Sequence, residues 1–180
     1  MRHARASTHR GAPPGGAAPP MDTGDPTMDA CAPTIRRLAG HDIANMRAML
    51  AMMGDAFGER ATYTAMQPDD DDLRRLLDGP HFMALVAMAG DDVVGGLVAY
   101  ELHKFEQARS EVYIYDLAVH GAWRRRGIAT ALIDHLRPIA RERGAWVIYV
   151  QADPPDAPAT ALYGKLGVRE DVCHFDIPVD

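Results

Sequence analysis

Three consecutive arginines, Arg124 to Arg126, run into Gly127-Ile128-Ala129 and then into a long apolar helix pattern. Their guanidinium groups crowd a helix end that already carries partial positive charge, which costs stability unless an anion sits among them. A phosphate-bearing ligand resolves the conflict, because helix N-termini reached through glycine bind pyrophosphates well. A solvated basic cap is the alternative that the charges alone leave open. A second group of chemical interest lies just upstream. Asp116 interrupts a run of apolar and tyrosine residues, where burial raises a carboxylate's proton affinity and suits it to act as a base. The plainer reading is a partnered aspartate that fixes the end of its strand.

The flanking residues supply the elements that must hold these groups. Ser110 to Val119 (SEVYIYDLAV) alternates Val112 and Ile114 with Tyr113 and Tyr115 before turning apolar, the pattern of a strand entering a core. From Ile128 a helix places Leu132, Leu136, Ile139 and Ala140 on one face, and Gly144 stops it. Ala145 to Val150 (AWVIYV) reads as a buried strand. The unit is strand, arginine-glycine turn, helix, strand. It lacks the lysine and hydroxyl pair of a nucleoside-triphosphate loop and the dinucleotide glycine fingerprint. Upstream, Thr34 to Leu38 predicts a strand and Ile43 to Phe57 a helix. A second helix follows from Asp69 to Asp72, whose carboxylates favour its start. Phe82 to Met88 and Val93 to Tyr100 predict a hairpin turning at Ala89 to Asp92. A helix over Pro158 to Leu166 and a closing pair of strands within Val168 to Ile177 complete the order.

With 180 residues, 47% of them apolar, the chain can bury one substantial core. Residues 1–30, rich in Pro, Gly and Ala, predict a disordered tail, leaving residues 31–180 as a single domain. The tail's three arginines and three aspartates cancel, so the domain carries 16 basic and 22 acidic residues and the whole net charge of −6. An acidic domain excludes general nucleic-acid binding. No stretch is apolar enough for a membrane span or a signal peptide, which predicts a cytoplasmic protein. Cys31 and Cys173 have no metal spacing and predict ordinary packing rather than a disulfide or a nucleophile, and no metal is expected.

Two blocks carry a resemblance to a known family. Arg124-x-x-Gly127-x-Ala129 after an apolar strand is similar to the acetyl-coenzyme A pyrophosphate signature of the GNAT superfamily of N-acetyltransferases. Ala159-x-x-Leu162-Tyr163-x-Lys165-Leu166-Gly167 resembles that family's later helix, whose tyrosine lies near the coenzyme sulfur. The runs KFEQARSEVYIYDLAV, RRGIATALI, VIYVQAD and HFDI look like the type I aminoglycoside 3-N-acetyltransferases, and the likeness covers roughly residues 33 to 177. It implies an α/β GNAT fold, a central mixed sheet of about six to seven strands flanked by about four helices, with one strand pair splayed open.

The resemblance also implies roles. Leu117, Ala118 and Val119 would hold the pantetheine arm, and Arg124, Arg125, Arg126, Gly127, Ile128, Ala129 and Thr130 the phosphates of acetyl-coenzyme A. Tyr163 would be the acid for the departing thiolate. Asp116 is the first candidate base for the attacking amine, and His120 a second. A polycationic aminoglycoside needs carboxylates for its other ammonium groups. Asp116, Asp153 and Asp156 are the candidates, with Asp156 also a plausible helix cap and Glu106 and Glu111 weaker choices. The family often has asparagine where Asp156 stands, which puts that coenzyme contact in doubt and suits a cationic substrate. The implied function is acetylation of the 3-amino group of gentamicin-type drugs, conferring antibiotic resistance. The alternatives are a GNAT enzyme acting on a polyamine, small metabolite or protein amine, or a coenzyme A sensor without catalysis. A homodimer paired through the closing strands is a further expectation.

Overall fold

A computed structural model describes residues 32–179, so the predicted N-terminal tail and Cys31 lie outside the described residues. The order is β1 (Thr34–Arg37), α1 (Ile43–Phe57), α2 (Arg60–Thr64), α3 (Asp70–Asp78), β2 (Phe82–Ala89), β3 (Asp92–His103), β4 (Ser110–Val119), a 3₁₀ turn (Gly121–Trp123), α4 (Ile128–Glu142), β5 (Ala145–Val150) and α5 (Ala157–Leu166). The strands form one mixed sheet ordered β1-β2-β3-β4-β5, antiparallel except for the β4–β5 pair. The α3 start follows from its acids: Asp69 caps it by accepting the Asp72 N–H at 2.8 Å, with Asp70 to Asp72 in the first turn.

Each face of the sheet is covered by helix. Met46, Met49 and Met53 of α1 and Leu73 and Leu77 of α3 pack on Val86 and Val98. On the other face Leu132, Ile133 and Leu136 of α4 pack on Leu97, Val112 and Ile114. Leu132 is fully buried, so Leu132→Ala would cost about 2–5 kcal/mol. Gly95 lets α4 come close, since a Cβ there would meet Ile128 Cγ2 at 2.9 Å.

Two irregularities set up the site. In the β3–β4 ladder Val98 pairs with Asp116 but Ala99 pairs with Ile114, leaving Tyr115 as a bulged residue without a partner on β3. Strand side chains alternate, so this one extra residue reverses the parity of everything beyond it. Asp116 consequently shares the face of Val98 and Tyr100, toward α1, rather than the Ile114 face toward α4. In the β4–β5 ladder the pairs run from Ser110↔Ala145 to Ile114↔Val150 and stop. Beyond that point β4 keeps β3 and loses β5, which is the predicted splay.

The predicted closing strands are a correction. Residues 168–179 make no ladder, and the sheet of the described residues has five strands rather than six or seven. A strand is stable only beside a partner, and here none is offered: Val172 is 71% and Ile177 85% exposed. Cys173 is likewise exposed rather than packed. The described residues also hold five α-helices instead of about four, because the five-residue α2 has no apolar period to announce it. No described helix is long and apolar enough to cross a membrane.

Candidate active site

The open edge of β4 leads directly into the arginine turn. His120 donates its N–H to the Val94 carbonyl at 2.9 Å, which fixes the phase of the antiparallel ladder there. By that alternation Ala118 turns its backbone groups toward β3, while Leu117 and Val119 turn theirs toward the gap left by β5. One of these is already engaged, because Arg124 Nε donates to the Val119 carbonyl at 3.2 Å. The Leu117 peptide groups and the Val119 N–H are left facing the gap.

The three arginines divide their work. Arg124 also donates Nη2 to the Ala56 carbonyl at 3.2 Å, at the last turn of α1, where a cation complements the dipole. Arg126 lies over the Trp123 ring, 4.8 Å from its centroid. Arg125 makes no hydrogen bond or ion pair among the described residues, and its backbone is left-handed at φ 64°. That conformation costs a non-glycine residue roughly 1–2 kcal/mol. Gly127, at φ 81°, is the N-cap of α4 and offers no side-chain acceptor, and the first turn holds no acid. The N–H groups of Ile128, Ala129 and Thr130 therefore point out of an uncapped helix start beside a free guanidinium. This fits a pyrophosphate and is hard to explain otherwise, since an ordinary cap stabilises by about 1 kcal/mol.

Across the splay stands a different kind of site. Asp116 Oδ2 accepts the Tyr63 hydroxyl at 3.0 Å. Burial pushes the Asp116 carboxyl above the ordinary aspartate range, and the Tyr63 hydrogen bond opposes that only in part. Burial and the Asp116 charge push the Tyr63 phenol well up in turn. Tyr163, half-buried on α5, is pushed up to about 12 by burial and then by the charges of Asp156 and Asp116. Asp116, Asp156 and Tyr163 thus share one electrostatic neighbourhood. Asp156 caps α5 through Oδ1, which accepts the Ala159 N–H at 3.0 Å, and its own N–H bonds the Asp153 carbonyl at 2.9 Å.

Tyrosines line the approach. Tyr115 meets Tyr100 edge-on at 5.6 Å and Tyr113 at 5.9 Å, and Tyr113 stacks on Tyr149 at 4.9 Å. Other candidates are committed elsewhere. His120 caps the 3₁₀ turn, its Nδ1 accepting from the Ala122 N–H at 3.3 Å. Glu106 and Glu111 share Lys104, at 3.1 and 3.3 Å. Sequence reasoning missed Tyr63, which lies on the unannounced α2 53 residues before Asp116. The only signal for it was a tyrosine flanked by threonines after the Phe57-Gly58 helix end.

Comparison with known proteins follows this geometry. Residues 48–168 match the Acetyltransferase (GNAT) family. The fold is similar to an aminoglycoside acetyltransferase from an uncultured soil metagenomic sample, at 53% identity and TM-score 0.82 over 83% of this chain and 100% of that one. It is similar to a second soil metagenomic aminoglycoside acetyltransferase, solved with sisomicin, at 30% identity and TM-score 0.76 over 82% of this chain and 97% of that one. A ribosomal-protein-alanine N-acetyltransferase from Brucella melitensis biovar Abortus 2308 shares 26% identity at TM-score 0.64, over 83% of this chain and 100% of that one. Curated proteins give no match. The match to the family spans most of the described residues, and the chain belongs to the GNAT family of acetyltransferases, enzymes that use acetyl-coenzyme A.

Proposed function

We propose that the protein acetylates an amino group of aminoglycoside antibiotics, the 3-amino group of gentamicin-type drugs, and thereby confers resistance. The observation that carries the reading is Asp116, a half-buried carboxylate of raised proton affinity set beside the strand edge where Leu117 and Val119 turn outward. The 53% identity with an aminoglycoside acetyltransferase over that protein's whole length supports the acceptor class.

Acetyl-coenzyme A supplies, when bound, an acetyl thioester. Arg125, Arg126 and the N–H groups of Gly127, Ile128, Ala129 and Thr130 hold its pyrophosphate, while Arg124 braces the turn from behind. Leu117 and Val119 hold the pantetheine arm by strand-like hydrogen bonds. Ala118 contributes its small side chain, since its backbone serves β3. Asp116 takes the proton that the acceptor amine must lose, and Tyr163 returns one to the departing sulfur. A phenol whose proton affinity has been raised holds that proton until thiolate charge develops. Asp153 and Asp156 bind the remaining ammonium groups of the drug, and the tyrosine wall takes the faces of its rings.

The protein works in the cytoplasm as a homodimer, in which the exposed apolar residues Val172, Phe175 and Ile177 and the unpaired edge of β5 are covered by a second copy. The deciding experiment incubates the purified chain with acetyl-coenzyme A and gentamicin, sisomicin, spermidine or an alanine-terminated peptide, and reads thiol release. Rapid turnover with gentamicin and a product acetylated at the 3-amino group are expected. Turnover with the peptide alone would replace this reading by a protein acetyltransferase.

A further inference from the structure

We propose that His81, Glu101 and His103 form a binding site for one divalent transition cation of the zinc type, at the end of the sheet remote from the arginine turn. His81 immediately precedes β2, and its carbonyl accepts the Glu101 N–H at 2.8 Å, so the two are cross-strand neighbours. Glu101 and His103, two apart on β3, share one face. One ligand atom from each of the three side chains lies within 4.8 Å of the other two. The imidazoles meet edge-on at 5.0 Å, and His103 Nε2 is 3.9 Å from Glu101 Oε1.

The carboxylate is built in rather than loose. The Glu101 side chain is only 5% exposed, and Oε2 accepts from Arg143 Nη1 at 2.8 Å, while Arg143 also bonds the Pro80 carbonyl. Such outer contacts orient a metal-binding carboxylate and leave its other oxygen to point at the ion. Both imidazoles are exposed, so side-chain rotation can close the ligand atoms to the roughly 3.4 Å spacing that bonds of about 2.1 Å in a tetrahedron require. Two imidazoles and one carboxylate suit zinc, with water in the fourth position, and disfavour calcium and magnesium, which want oxygen. The Arg143 charge, with Arg37 beside it, holds the affinity below that of a site with no cation near.

Gly95 pairs with Val119 at the coenzyme end of β3 and His103 with Ser110 at the other, roughly 25 Å away at strand rise. The cation would staple the start of β2 to the end of β3 and take no part in transfer. Titration of the metal-stripped full chain with zinc chloride tests this. One saturable equivalent is expected, weakened at least tenfold in His81→Ala and in His103→Ala and unchanged in His135→Ala, which alters an exposed helix position. Cobalt(II) should give intense visible bands of a four-coordinate site that zinc abolishes, a reading that needs no variant. Zinc should raise the Tm of the wild type and leave that of the double variant carrying both His81→Ala and His103→Ala where it was. No saturable equivalent, an absence of those cobalt bands, or an equivalent kept by both alanine variants would overturn the proposal, the last assigning the metal to histidines elsewhere, such as His3 and His9.

Discussion

The two sides of the splay are made of different materials. The proposed coenzyme side is mostly backbone: peptide groups of Leu117 and Val119, the N–H groups of an uncapped α4 and one uncommitted guanidinium, all between Leu117 and Thr130. The proposed acceptor side is all side chains, brought from β4, α2 and α5 and held by burial and mutual charge. A site of peptide groups survives substitution, since every residue carries them. A site of converging side chains can be retuned by single changes.

The sharpest test of that contrast is Asp116→Asn. Turnover is expected to fall roughly 10²–10⁴-fold with little change in coenzyme affinity, and equal losses in both would erase the distinction between the two sides. The same variant should be the more stable protein at neutral pH. Burial raises the folded Asp116 above its unfolded proton affinity, so the folded chain binds more protons between the two values and loses stability as pH rises through that window. Removing the charge should recover about 1 kcal/mol, read as a Tm higher by roughly 2–4 °C.

Arg125→Ala should leave stability unchanged and raise the coenzyme KM roughly ten- to a hundredfold, the worth of one charge-assisted contact. Arg124→Ala should do the reverse, lowering Tm by roughly 2–4 °C while its coenzyme KM moves less. Indistinguishable phenotypes would break the division of labour within the run. Tyr63→Phe is expected to slow turnover only a few fold at neutral pH. Its signature is the pH profile: the lost hydrogen bond held Asp116 down, so the ascending limb of the rate should move to higher pH. The smallest effect belongs to Glu111→Gln, less than twofold in rate, because Lys104 and Trp146 already occupy that carboxylate.

The same contrast governs what could be read from the sequence. The α1, β4 and β5 boundaries fall where periodicity puts them, and Gly127 marks the α4 start, because each depends on neighbours in the chain. The arginine turn is legible for the same reason. Tyr63 was invisible because its meaning comes from a contact across 53 residues. Alternation along SEVYIYDLAV places Asp116 on the Ile114 face, and only the register against β3 corrects it. The closing strands failed oppositely: Val168 to Ile177 has strand-like residues, but a strand is a property of two segments and the described chain offers no second one. Asp156 was legible as a cap, whereas the field it shares with Tyr163 was not.

The bulge at Tyr115 makes β4 a counting device. Upstream of it, odd-numbered residues look toward α1, and downstream the even-numbered ones do. Drawing Tyr115 into the ladder opposite Val98 would carry the carboxylate through the sheet into the α4 core, while leaving the composition of the strand untouched. A substitution scan would pass over this dependence, since any side chain at 115 preserves the count. Pairing, rather than identity, is what the strand must inherit at that point, and deletion of Tyr115 would leave a regular ladder in which Asp116 follows Ile114 and still faces α1 beside Val98.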